Sequence, residues 1–288
     1  MLQGIQSRSS LSETEIREVL ELSHLCNECE GIDLEITLNF SMLRRRDGQE
    51  ENDILCYADN RLVGFLGMYF ISSNEEVELS GMVHPDYRGR GLAFALLKEA
   101  HSRLERRNVR HRLIVCDQAS HSGQKFLKAI GAHFQFSEYS MYLETMPEQL
   151  QDTTLDLLPV RPHDKDNVAA ILMESFGDSE EEVRGLIERN TSSAEHQMYI
   201  AKHNTLPIGT ITVTRDGDDM FITAFAVHPK FQGKGYGRQI LSQCIVHIDS
   251  ESKGTTIKLD VQTENANALG LYKSCGFKQI AAYDYYSI

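Results

Sequence analysis

The chain has 288 residues with 41% hydrophobic and 25% charged side chains, enough for two ordinary domains that each bury a core. Its net charge is −13, with 16 Lys/Arg against 22 Asp/Glu in residues 1–147 and a further excess of seven acids beyond. An evenly acidic surface repels phosphate backbones and excludes nucleic acid as the expected partner, while it tolerates a cationic amine. No apolar run approaches the ~18–20 residues that span a bilayer, and the first ten residues lack a signal-peptide layout. Cys26 and Cys29 form the single Cys-x-x-Cys of the sequence, with no second pair to complete a zinc site. A soluble cytoplasmic protein with reduced thiols, no metal and no membrane contact is expected.

In chain order, a helix is expected from Ser12 to Cys29, with Ser12 as N-cap, Glu15 three residues on, and Ile16, Val19 and Leu20 on one face. Strands at Asp53–Asp59 and Leu62–Ile71 form a hairpin across Asp59-Asn60-Arg61, and a third strand runs from Glu76 to Val83. A helix over Leu92–Arg106, a buried strand over Arg112–Cys116, a helix over Gly123–Ile130 and a strand over Phe134–Leu143 complete the first half. Arg44-Arg45-Arg46 reads as a solvated helix end within reach of a ligand phosphate. The polar, proline-containing stretch Thr145–Thr154 reads as a linker.

The second half repeats this order. A strand is expected at Leu155–Arg161, helices at Asp164–Phe176 and Ser179–Asn190, and strands at Met198–Lys202, Ile208–Thr214 and Met220–Val227. The Gly235–Asp249 helix, the Thr256–Val261 strand, the Ala266–Cys275 helix and a closing strand at Lys278–Tyr285 follow. Strands interleaved with helices, hairpins among them, imply a mixed α/β sheet in each half. The expected domains are 1–147 and 154–288.

The clearest sign of duplication is local. Val83-His84-Pro85-Asp86-Tyr87-Arg88-Gly89-Arg90-Gly91-Leu92-Ala93 recurs 144 residues later as Val227-His228-Pro229-Lys230-Phe231-Gln232-Gly233-Lys234-Gly235-Tyr236-Gly237. Such a period means duplicated domains, because solenoid repeats are far shorter. Each copy passes from an apolar strand through a His-Pro turn and a glycine loop into a helix. Glycines there let successive backbone N–H groups converge, and with the positive helix end they form a phosphate cradle. A P-loop is excluded, because neither copy has Gly-Lys-Ser/Thr. A dinucleotide fingerprint fails too: Arg238 or Ile240 falls where its third glycine belongs. His84 and His228 are shared by both turns, which points to a role in the turn.

Arg88-x-x-Gly91-x-Ala93 and Gln232-x-x-Gly235-x-Gly237 resemble the acetyl-CoA loop of the GCN5-related N-acetyltransferases. Asn265, Ala268, Leu271, Tyr272, Gly276 and Phe277 match a second motif of that family. The resemblance covers nearly the whole chain and is weakest over residues 1–50. It implies an α/β fold of two tandem GNAT-like domains, each a mixed, mostly antiparallel sheet flanked by helices.

It also implies that Gln232, Gly233, Lys234, Gly235, Tyr236, Gly237 and Arg238 hold the CoA pyrophosphate, with Ala226, Val227, Asn265 and Tyr272 contributing to the cofactor site. The same contacts in the first half would come from Val83, Arg88, Gly89, Arg90, Gly91, Leu92 and Ala93. Tyr272 would be the proton donor to the leaving thiolate. Asp260, twelve residues earlier, would be the base, acting through a water because it is one methylene shorter than Glu. In the first half Ser120, Leu127 and Ala132 replace Asn265, Tyr272 and Phe277, and Val115 replaces Asp260.

The expectation is therefore an acetyl-CoA-dependent N-acetyltransferase of the acyltransferase class, EC 2.3.1.-. Its acceptor is a small-molecule primary amine, and catalysis lies in the C-terminal domain by direct attack. The protein would be a monomer or homodimer. The alternatives are a protein N-terminal or lysine acetyltransferase and a non-catalytic acyl-CoA-binding regulatory module. The acceptor is left open, because its contacts fall in the segments with the fewest motifs.

Overall fold

The computed structural model describes residues 4–70, 75–147 and 154–288. They divide into two compact units, Met1–Ser137 with Ala281–Ile288, and Glu138–Ile280. Among the described residues no helix is long and apolar enough to cross a membrane. Part of the expected linker, and Ile71 at the end of an expected strand, lie outside the described residues.

The first unit opens with a strand that the sequence reading did not anticipate, β1 (Gly4–Arg8). Helix α1 (Glu13–Glu30) starts where its capping box places it: the Ser12 hydroxyl accepts from Glu15 N–H, and the Glu15 carboxylate accepts from Ser12 N–H. Gly31, in the left-handed region at φ 68°, ends it. Two short helices follow, α2 (Leu34–Leu38) and α3 (Phe40–Arg44).

The hairpin of β2 (Asp53–Ala58) and β3 (Arg61–Tyr69) turns at Asp59-Asn60, both with positive φ, the conformation a two-residue hairpin turn requires. Strand β4 (Glu76–Val83), helix α4 (Leu92–Arg106), β5 (His111–Asp117), α5 (His121–Ile130) and β6 (His133–Leu143) complete the expected series. Strands β1 to β4 are antiparallel neighbours, and β4 pairs with β5 in parallel. Helix α4 packs on one face of this sheet through Leu96, Leu97 and Leu104. Helices α1 to α3 pack on the other through Val19, Leu22, Leu38 and Leu43. A sheet covered on both faces explains why seven of the nine residues of β3 from Leu62 to Met68 read as a near-continuous apolar run.

Arg46 corrects the expectation of a solvated arginine cluster. Its guanidinium donates to both carboxylate oxygens of fully buried Asp53, at 2.7 and 3.1 Å, and lies over the Tyr69 ring at 5.1 Å. A planar fork fits a carboxylate bidentately, so the residue is committed to the core and not to a ligand.

The second unit repeats the layout with β7 (Asp156–Pro159), α6 (Lys165–Phe176), α7 (Glu180–Ser192), β8 (His196–His203), β9 (Leu206–Asp216), β10 (Asp219–Val227), α8 (Tyr236–Glu251), β11 (Thr256–Gln262), α9 (Ala266–Ser274) and β12 (Phe277–Ser287). Here α8 and α9 cover one face, and α6 and α7 the other. Strands β7 to β10 are antiparallel neighbours, and β10 pairs with β11 in parallel.

The closing strands go where the linear order does not send them. Glu138–Tyr142 of β6 pair with β11 inside the second unit, whereas Tyr283–Ser287 of β12 pair with β5 inside the first. Each half supplies the strand that extends the other half's sheet.

Candidate functional site

The two glycine loops have the same backbone. Gly89 and Gly233 lie at φ 72° and 73°, Gly91 and Gly235 at 82° and 81°. A side chain disfavours that left-handed region, so glycine is what lets each loop close onto its helix. His84 and His228 share φ −49° and ψ 132°, and the Nδ1 of each accepts from the N–H two residues on. Their own N–H groups donate at 2.9 Å to Val63 O and Ile208 O, fixing strand end to turn. Both histidines thus have a turn role in the geometry itself.

A Cβ built on Gly233 or Gly235 meets nothing within 4 Å, so the loop backbone is open to a ligand approaching its N–H groups. Gln232 Nε2 donates to Val227 O at 2.8 Å and braces the loop against the end of β10. Lys234 Nζ folds back on Lys230 O, and Tyr236 and Gly237 begin α8. A Cβ on Gly237 would stand 3.1 Å from Leu271, so its lack of a side chain lets α8 lie against α9. Arg238 reaches the same helix at Ser274 O.

Asn265 is the N-cap of α9, its side-chain oxygen accepting from Ala268 N–H. Ser120 caps α5 in the same way, accepting from Gly123 N–H, so the exchange of Asn for Ser preserves the cap.

Strands β10 and β11 are paired only over Asp219–Phe221 and Thr256–Lys258, and beyond that point they separate. Along the free part of β10 the register with β9 shifts between Thr223 and Ala226, and Ala224 adopts φ 45°. A bulge re-aims backbone amides that a regular ladder would consume. Strand β4 keeps unbroken register with β3 from Glu78 to Val83. The two units differ at this point in backbone as well as in side chains.

Tyr272 is 8% exposed and sits between the rings of Phe225, in the bulge, and Phe277. Burial pushes its phenol up to about 12. Asp260 projects from β11 opposite Ser140 on β6 and stays solvent-accessible, although protein crowds it closely. That crowding raises its carboxyl, and the Ser140 hydroxyl and Lys258 partly offset the rise.

The first unit holds a cavity of about 760 Å³. It occupies the gap that opens where β4 and β5 stop pairing, after Leu79 and Ile114, and its lining includes Arg88, Gly89, Gly91, Leu92 and Ala93 of the loop. Its lining includes a network that sequence reasoning missed. Arg88 donates to Val83 O and pairs with Glu30, whose side chain is 6% exposed. The Glu30 carboxylate also accepts from the Ser120 hydroxyl and Ser122 N–H at the start of α5. Burial raises the Glu30 carboxyl, but these donors and Arg88 outweigh it and hold the group below its ordinary value. No local pattern marks Glu30, because its partners stand 58 to 92 residues away.

Comparison with known proteins gives the same duplication. The model of the acetyltransferase (GNAT) family matches twice, over residues 16–132 and 165–277. The chain is similar to an N-alpha-acetyltransferase RimI of Mycobacterium tuberculosis, at 34% identity over 31% of this chain and 56% of that one. It spans about half the length of that relative. Among solved structures, a GCN5-related N-acetyltransferase from Sphaerobacter thermophilus superposes with TM-score 0.78 at 15% identity, covering 99% and 95% of the two chains. A tandem GNAT protein from the clavulanic acid biosynthesis pathway gives TM-score 0.69 at 14% identity over 99% and 98%. These likenesses extend over the whole chain and concern the fold.

Proposed function

The chain belongs to the acetyltransferase (GNAT) family in both of its halves, and on that premise we propose that the second unit transfers an acetyl group from acetyl-CoA to a primary amine of a small molecule. The observation that carries this reading is the bulged end of β10 beside an open glycine loop, with a buried tyrosine against the bulge. Acetyl-CoA, when bound, supplies a thioester activated toward amines. Gln232 to Arg238 would hold its pyrophosphate, with Ala226, Val227 and Asn265 beside the acyl end.

The residues then divide three tasks. The amide groups freed by the bulge receive the negative charge that gathers on the carbonyl oxygen. Asp260 takes the proton of the attacking amine through a water, which its shorter side chain leaves room for. Tyr272 gives its hydroxyl proton to the departing sulfur, and a phenol at about 12 remains protonated at neutral pH for this purpose. The amine nitrogen forms the new amide bond as the carbon–sulfur bond breaks, and no enzyme acyl group forms on the way.

In a second reading, carried by the cavity in the first unit, the loop at Arg88–Ala93 also binds CoA but without turnover. Leu127 and Val115 stand where the second unit has Tyr272 and Asp260, and its strand has no bulge.

The test is acetyl-CoA turnover with a panel of primary amines and of peptides with free N-termini. Thiol release with small amines alone supports the reading. Release with peptides alone, in keeping with the RimI similarity, replaces the acceptor class, and release with neither overturns the assignment.

A further inference from the structure

The cavity of the first unit runs from the glycine loop to residues of both apolar cores. Its walls include Leu79 and Leu96 from the core on the α4 face and Phe65 and Met82 from the core on the α1 face, so it passes through the sheet where β4 and β5 part. On the loop side the ligand would meet glycine N–H groups, with Arg88 already held by Glu30. Beyond the split, Ile32 and Leu34 close the space with hydrocarbon. Leu127, in the place of a tyrosine, adds no hydroxyl. A site that is anion-binding at one end and apolar at the other fits an amphiphile with phosphates at its head.

We propose that the first unit is a binding site for CoA thioesters of medium-length, straight-chain acyl groups, with the pyrophosphate on the loop and the chain in the apolar part of the cavity. This rests on the reading that the Arg88–Ala93 loop holds CoA, and it adds what the bound thioester carries. The ligand is retained intact. Strand β4 lacks the bulge that re-aims amides at the end of β10, and the positions of the base and the acid are hydrocarbon. Burial of hydrocarbon sets the preference: each methylene moved from water to the cavity wall strengthens binding severalfold, or about tenfold for every two.

The experiment is calorimetric titration of the full-length Gly235→Trp chain, which removes the second loop as a competing site, with CoA, acetyl-CoA, hexanoyl-CoA and decanoyl-CoA. The expected result is one site whose affinity climbs with chain length. Adding Gly91→Trp abolishes that site, and adding Ile32→Trp, at a half-buried position, removes the chain-length dependence while CoA itself still binds. Affinity that is the same for all four ligands at a Gly91-sensitive site overturns the proposal and leaves CoA binding standing. If no binding depends on Gly91, the reading of the loop fails and the proposal fails with it. The chain-length series needs neither Gly91→Trp nor Ile32→Trp, and a thermal melt of each variant separates lost binding from lost fold.

Discussion

Arg88 and Gln232 occupy the same place in their two units and make the same bond, each donating to the carbonyl that ends its strand, at 3.0 Å to Val83 O and 2.8 Å to Val227 O. The difference lies in what else each can reach. The Arg88 guanidinium has donors to spare and takes Glu30, so the first loop is tied to α1 and α5. Gln232 has no charge to attract such a partner. One side-chain exchange at equivalent positions therefore gives two loops of identical backbone different surroundings.

That difference predicts a pH-dependent contribution to stability. The folded protein holds Glu30 below its ordinary value of 4.5, so its ionised form is favoured by folding. The contribution is fully present above that value and is lost as pH falls through the lower, folded value. Glu30→Gln is expected to lower the melting temperature at pH 7, and the gap from wild type closes as the pH drops below about 4. Melting curves across pH 3 to 7 check it, and a gap that persists at the acid end contradicts it.

Tyr272→Phe separates chemistry from binding. The ring and its packing against Phe225 and Phe277 are kept, and only the hydroxyl is lost. Acetyl-CoA turnover is expected to fall by about 100-fold or more, the usual scale for a positioned proton donor, with acetyl-CoA affinity within about twofold. Steady-state kinetics and calorimetry together decide it. Unchanged kcat would leave Tyr272 a packing residue.

Asp260 should appear in the pH profile. Crowding raises its carboxyl above the ordinary 3.8, so the group keeps its proton to higher pH than a free aspartate does. If Asp260 is the base, the acidic limb of kcat/KM is expected at higher pH than a free aspartate would give, and Asp260→Asn removes that limb along with most of the activity. A limb that survives in Asp260→Asn belongs to another group.

Arg46 and Asp53 make a stability prediction independent of function. Removing one partner of a buried pair leaves the other charge without compensation, at a cost of about 3–5 kcal/mol. Arg46→Met is expected to show that loss in urea unfolding, and a change below about 1 kcal/mol would mean that Asp53 takes up a proton at little cost.

Much of the chain was legible because its signals are local. The Ser12 capping box, the Asp59-Asn60 turn and both glycine loops depend on residues within a few positions of one another, and each appears where its pattern placed it. Duplication was equally legible, since two copies of one segment need no structure to be seen. Helices α2 and α3, each of five residues, are too short for periodicity to mark, and Arg46 resembled its exposed neighbours until Asp53 was found beneath it.

Sequence alone determined the family, the mixed α/β architecture of both halves and the position of both loops, because these follow from short-range backbone preference and a doubled motif. The tertiary structure alone decided that β6 and β12 each extend a sheet built by the other half of the sequence, that β10 is bulged where β4 is straight, and that Glu30 closes on Arg88. A strand's alternating pattern fixes which face it buries but not which edge it joins. Nor does the pattern of one segment contain the charge that will meet it from 58 residues away.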